Sequence, residues 1–468
     1  MVPCDCPRLV LTCSTLYKED LAVMQTSYHQ RALDMLRDLV RINTTNPPGN
    51  EIEAARYLAQ VLGAAGIPCE IVEPQPGRGS IIARLKGTGE AAPLLLMGHM
   101  DVVSANPADW EDDPFAAVVR DGFLWGRGST DNKHMTAAAA TILLALKESG
   151  VRLKRDVMFI GAADEEHGGR WGMGWLARER RELFDIAGAI NEGAGGAIEA
   201  AGKLYYTCQT GEKGVCRTMW TARAPGGHGS APRYDLATTK LARALSRLND
   251  GYVRPHLTET MRQALTIIAR SQSERTLSRV TRLLDQQRLD EALAMAGLAP
   301  EQPGRTRSLL FDTASVTGLA AGDPASINVI PLQARAYVDG RILPGQTREG
   351  YLQVLETLAR GEAEIEVYEG QFSPGLESSA DTPLYRTIEE VVAARSPGAQ
   401  VIPWLCAGST DAKHLTPLGV PVYGFIPSPP LPPGVTAAGA HAANERLWLD
   451  HLPFMLDMLY DITVQFCR

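Results

Sequence analysis

A chain of 468 residues is longer than one compact core usually supports, so length alone predicts two domains. An apolar share of 45% and a charged share of 21% are ordinary for a soluble globular enzyme, and a formal charge of -8 argues against a nucleic-acid or anionic-membrane surface. No apolar run is long enough to span a bilayer, and the scattered cysteines at positions 4, 6, 13, 69, 208, 216, 406 and 467 form no C-x-x-C pair, so reduced thiols in a cytoplasm are expected.

The opening stretch "MVPCDCPRLVLTCSTLYKED" lacks a basic n-region and a periodic pattern. Residues 1–23 are therefore expected to be a disordered tail or to precede the true start, with Met24 opening the folded chain. From Leu33 to Gly66 apolar residues recur at helical spacing, broken by the turn "NTTNPPGNE". Strands are predicted at Cys69–Val72, Ser80–Leu85 and Pro93–Met97, then a helix over 132–149, a strand at Val157–Ala162, a helix over 172–183 and a strand at Ala187–Ile190. This alternation predicts an α/β sheet with helices on both faces.

The texture changes after Gly211. A strand over 213–224, a helix over 236–249, a charged helical stretch from about Arg254 to Ala296, a strand over 328–343, a helix over 348–360 and a strand over 364–370 follow. Two strand-helix-strand units of this kind predict a small α+β sandwich inserted into the first domain. The expected boundaries are 24–212 for the first part of a catalytic domain, 213–372 for a lid or dimerisation domain with a helical insertion at about 254–310, and 373–468 for the second part of the catalytic domain. There a helix near Leu384–Ala394 and strands near Val401 and Val420 resume the alternation.

Acids and histidines lie just past the C-terminal ends of these strands, where open α/β sheets place their ligands. "LLLMGHMDVV" supplies His99 and Asp101, two residues apart and so on one face of an extended chain. Asp131 opens the alanine-rich helix, "ADEEHGG" supplies Glu165 and Glu166, "AINEGAGG" supplies Glu192, and "GAHAANERL" supplies His441. Each has a plainer reading alone: a core histidine, a helix N-cap at Asp131, solvated acids at a turn. Together they describe a site for two zinc-like cations, around which adjacent carboxylates cease to repel.

In order and flanking residues the chain resembles the co-catalytic zinc hydrolases that include aminoacylase, glutamate carboxypeptidase, acetylornithine deacetylase, succinyl-diaminopimelate desuccinylase and, in a longer branch, carboxypeptidase S. The matching pieces are "TNPPGNE", "GHMDVV", "WGRGSTDNK", "ADEEHGG", "NEG", "GGHGSAP", "NVIP", "DGRILPG", "GSTDAKHL" and "GAHAANE", in family order from about residue 42 to 445. The resemblance implies a mixed-sheet zinc-peptidase catalytic domain with an inserted ferredoxin-like lid. It implies two Zn2+ ions, with Co2+ or Mn2+ as substitutes, bridged by Asp131. His99 and Glu192 would complete one metal site, and Glu166 and His441 the other. Asp101 would orient the His99 ring, and Glu165 would be the general base toward a metal-activated water. Asp164 would turn away to cap the loop.

From the lid, the resemblance makes His228 an oxyanion donor supplied by a partner subunit, and hence implies a homodimer. It makes Arg341 a clamp on a substrate carboxylate and Asn328 a second polar contact, with Gly408, Thr410 and Lys413 near the scissile end. The chain departs from the family at Asn132, Lys133 and His134, where many members carry Met then Lys-Gly, and at Lys413, where arginine is common. His134 is expected against loop or solvent. The implied activity is hydrolysis of an amide bond in N-acyl-amino acids or small peptides beside a free carboxylate. Alternatives are a dipeptidase or carboxypeptidase rather than an acylase, and a non-catalytic carboxylate-binding descendant, which would be expected to have lost Glu165 or a ligand.

Overall fold

The computed structural model describes residues 13–231, 233–298, 306–436 and 438–468. They divide by compactness into two units, Met1–Arg181 with Leu431–Arg468, and Glu182–Pro430. The first helix, Cys13–Arg41, corrects part of the expected tail, since residues 13–23 are helical. The reason is local: Leu16 to Gln25 contains neither glycine nor proline. Residues 1–12 lie outside the described residues.

In the first unit, strands Cys69–Val72, Ser80–Leu85, Arg155–Ala162 and Ala91–His99 lie side by side in that order. The first three pair antiparallel, and the last pair is parallel. Leu94 to Met97 and Val157 to Ile160 are buried runs without alternation, as strands covered on both faces require. The helix Lys133–Ser149 is buried from Lys133 through Leu146. Its four consecutive alanines let neighbouring backbones approach closely, and Gly150 ends it in the left-handed conformation. A separate three-stranded sheet joins Val118–Arg120, Phe123–Trp125 and Arg446–Trp448, and thereby ties the C-terminal segment to the loop before Asp131.

In the second unit, Gly188–Asn191 pairs in parallel with Val422–Gly424, and Lys203–Glu212 pairs in parallel with Gln400–Cys406. A five-stranded antiparallel sheet runs in the order Tyr252–Pro255, Phe311–Ala321, Gln333–Ile342, Gly214–Arg223, Glu364–Ser373. Setting aside the short edge strand and the three helices between Glu259 and Ala296, the chain order is strand, helix, strand, strand, helix, strand, the split βαβ pattern of a ferredoxin-like sandwich. Helices Ala237–Ser246 and Arg348–Ala359 cover one face over a core of Trp220, Leu241, Ala336, Val338, Tyr351 and Leu355. The mixed α/β architecture with an α+β insert is thus the one expected.

Two local readings need correction. The stretch from about Arg254 begins as strand Tyr252–Pro255, because Tyr252 and Val253 suit a pleated edge and pair with Phe311–Thr313. Three helices follow, Glu259–Gln272, Glu274–Asp285 and Leu289–Ala296, with Ser273 breaking the first join and its hydroxyl capping Thr276 N at 3.1 Å. They pack on Tyr205, Ile402 and Leu405, so the insertion shares a core with the strands beneath it. The helix expected over 172–183 stops at Glu179, since Arg180 leaves the helical region at φ -130°, and a 3-10 turn at Arg181–Phe184 follows.

Candidate metal centre

Strand Ala91–His99 ends on His99, which is 2% exposed. Its Nδ1 lies 3.0 Å from the Asp101 carbonyl and 3.4 Å from Asp101 Oδ1, while Nε2 lies 3.0 Å from Asp131 Oδ1. The ring therefore faces its strand neighbour with one nitrogen and Asp131 with the other. Asp101 is fully buried, and its two oxygens accept the backbone amides of Glu165 and Glu166 at 3.0 Å each, with Asn46 Nδ2 at 2.8 Å. Burial pushes the Asp101 carboxyl up, but the hydrogen bond and charge of His99, with Asn46 and the Glu166 amide, outweigh it and hold the group below the usual carboxylate range.

His441 Nε2 lies 3.3 Å from Asp131 Oδ2 and 3.1 Å from Glu166 Oε2, and one donor atom from each of the three falls within 4.8 Å of the others. The hydrogen bonds to Asp131 and Glu166 push the imidazole up to about 10. The opposite holds at Asp131: burial raises its carboxyl, and His441 and His99 more than reverse that. The buried Glu166 Oε1 has no hydrogen-bond partner among the described residues. Two carboxylates converging on one imidazole, with an unsatisfied oxygen beside them, fit a divalent cation better than a shared proton. Binding one would displace that proton from His441. Glu192 follows strand Gly188–Asn191 in the second unit.

Beneath Glu165 lies a buried polar network that motif reasoning did not assign. Asp164, at φ +69°, accepts from Arg78 Nη2, from Asn46 Nδ2 at 3.2 Å and from the Trp171 amide at 2.9 Å. It accepts a loop amide, as a loop cap does, and it also pairs with the Arg78 cation. Arg78 lies 3.0 Å from Glu51 Oε1, whose carboxyl burial pushes up to about 7. Gly49, at φ +84°, makes room: a Cβ there would collide with the Arg78 guanidinium. Asn46 and Glu51 stand inside the motif "TNPPGNE"; Arg78 carried no signal.

His134 departs from expectation. It is buried, edge-to-face with His451 at 5.7 Å between ring centroids, and burial pushes it down to about 3. A face of the helix that packs inward leaves no route to loop or solvent. Lys133 Nζ donates to Leu39 O at 2.9 Å and Ile42 O at 2.7 Å, closing the carbonyl end of the first helix.

In the second unit, His228 and Asn328 come together on an exposed ribbon. Gly227–His228 pairs with Val329–Ile330, and the Gly229 amide donates to Asn328 O at 2.7 Å. His228 Nδ1 lies 2.7 Å from Ser230 Oγ. Arg341 lies on the sheet face opposite the two helices, and Asp339 engages it through Nε at 2.6 Å and Nη2 at 3.3 Å. Gly408 lies in the loop after Gln400–Cys406. Thr410 is buried, its amide and hydroxyl donating to Glu212 Oε2 at 3.0 and 2.9 Å, while Asn191 Nδ2 donates to the hydroxyl at 3.1 Å. Glu212, whose carboxyl burial pushes up to about 7, thus anchors the loop that carries Gly408, Thr410 and Lys413.

The strand-end acids and histidines of this mixed α/β fold form a candidate cation site of the kind that metal-dependent enzymes use. Residues 95–465 match the model of peptidase family M20/M25/M40, and the chain belongs to that family. It is accordingly a hydrolase of amide or peptide bonds. It is 30% identical over 364 residues, 76% of this chain and 68% of the relative, to the N-fatty-acyl-amino acid synthase/hydrolase PM20D1.1 of Danio rerio. Probable carboxypeptidase S-like 2 of Dictyostelium discoideum is 25% identical over 392 residues, 82% of this chain and 73% of that one. The M20 family metallo-carboxypeptidase Sso-CP2 of Sulfolobus solfataricus has a similar fold, with a TM-score of 0.69 at 20% identity, covering 93% of this chain and 99% of that chain. Among the described residues no helix is long and apolar enough to cross a membrane.

Proposed function

We propose that this chain is a di-zinc amidohydrolase that cleaves N-acyl-amino acids, or small peptides, beside a free carboxylate. The observation that carries the reading is the meeting of Asp131, Glu166 and His441, with His99 on the far side of Asp131 and Glu165 adjacent. In this reading Asp131, Glu166 and His441 would hold one ion, and Asp131, His99 and Glu192 would hold the other. Bound zinc supplies an acidified water and a polarised carbonyl. Glu165 takes a proton from the attacking water and delivers it to the leaving amine. Asp101 holds the His99 ring and, through both amides, the acid pair.

The names of the relatives favour an acyl-amino acid, and carboxypeptidase S-like relatives keep a peptidase reading alongside it. Arg341 is the proposed clamp. Its two N–H bonds to Asp339 display the side-on geometry a substrate carboxylate would take, which lysine cannot reproduce. His228 is proposed to act from the lid of a second copy, with Asn328 beside it.

The test is to measure kcat/KM on N-acyl amino acids, dipeptides and their C-terminal amides for the wild type and Arg341→Ala. Amidation should remove most wild-type turnover. Arg341→Ala should lower kcat/KM on the acid by at least about tenfold and leave the amide nearly unchanged. Equal losses on both would make Arg341 a partner of Asp339 only.

A further inference from the structure

The segment carrying Asp131 and the segment carrying His441 meet through one buried carboxylate. Glu445 is fully buried and accepts four donors from residues 127–130: Arg127 Nη1 at 2.7 Å, the Gly128 amide at 3.2 Å, the Thr130 amide at 2.7 Å and the Thr130 hydroxyl at 2.8 Å. Its own carbonyl accepts the Gly126 amide at 3.0 Å. Arg127, also buried, reaches onward with Nη2 to the carbonyls of Ser104 at 3.4 Å and His441 at 3.5 Å, and lies over the Trp110 ring at 5.2 Å.

We infer that Glu445, with Arg127, is a positioning residue that clasps the Asp131 loop to the His441 loop and presets the site these two residues share. The inference rests on the di-zinc reading. His441 and Asn444 both hold left-handed backbone, at φ +64° and +56°, which non-glycine side chains adopt only where surrounding structure holds them. A buried ion pair adds little net stability over apolar packing of the same volume, whereas it fixes orientation strongly. Four donors from three residues of the four-residue stretch 127–130 hold the loop against sliding just before Asp131. Of the two proposed ions, one has both Asp131 and His441 leaning on this clasp. The other keeps His99 and Glu192, which do not.

The experiment titrates the full-length, metal-free chain with zinc against a competing chelator, for wild type, Glu445→Ala, Glu445→Gln and His441→Ala. Circular dichroism checks each fold. Glu445→Ala should weaken the same ion that His441→Ala removes, by at least about tenfold more than it weakens the other. Glu445→Gln should recover part of the loss, because its one amide oxygen can still accept the Thr130 amide and hydroxyl, while its NH2 group can no longer accept from Arg127 and Gly128. Should Glu445→Ala fail to fold, Glu445→Gln alone carries the comparison, with an intermediate weakening of that one ion. Equal weakening of both ions, or two ions bound as in wild type, would overturn the clasp. A wild-type chain that binds no zinc would overturn the di-zinc reading as well.

Discussion

Glu165 and Glu166 are consecutive, yet Asp101 sorts them, one oxygen taking each amide, so that their side chains leave a fixed turn rather than a floppy loop. The proposed roles differ accordingly: Glu166 meets His441, while Glu165 handles the proton. Glu165→Gln should therefore retain both ions yet lower turnover by about hundredfold or more, and His99→Ala should instead lower metal occupancy. Metal analysis beside steady-state kinetics decides; equal metal loss in the two variants would end the division of roles. The ligand-type residues were legible because they sit in motifs at strand ends. Their supports were not. Arg78 stands 27 residues from Glu51 and 86 from Asp164, a separation no spacing rule reports. Arg127 and Glu445 lay within quoted motifs, but nothing in the sequence said that they face each other.

At the level of elements, strand Phe311–Ala321 is informative. It pairs with Tyr252–Pro255 only over its first residues, and beyond Ala314, whose amide donates to Gly251 O, that edge meets no further strand among the described residues, with Val316 41% and Leu319 69% exposed. Ile327 and Val329 are exposed on the ribbon that carries His228 and Asn328. An open, apolar strand edge is where a second copy of the chain would pair. Mixing His228→Ala with Glu165→Ala, each inactive alone, should restore up to about a quarter of wild-type activity, since half the dimers would be hybrids with one complete site. No recovery despite proven subunit exchange would place His228 in its own chain's site or outside catalysis. This strand was not read from the sequence, and neither was Lys203–Glu212, buried on both faces and so without alternation. The strand at Gln333–Ile342, whose burial alternates residue by residue, was read easily.

Across the whole molecule, the cluster at Asp131 draws on distant parts of the first unit, with His99 at a strand end, Glu166 after another strand and His441 in the C-terminal segment. Length predicted two domains and alternation predicted the α/β class, because both follow from how much surface a core can cover. The order of the family motifs carried the rest of the site. The most direct test titrates metal-free enzyme with zinc while following hydrolysis of an N-acyl amino acid. Activity should be absent without metal and should saturate near about two ions per chain. Full activity in a sample holding no transition metal would contradict it.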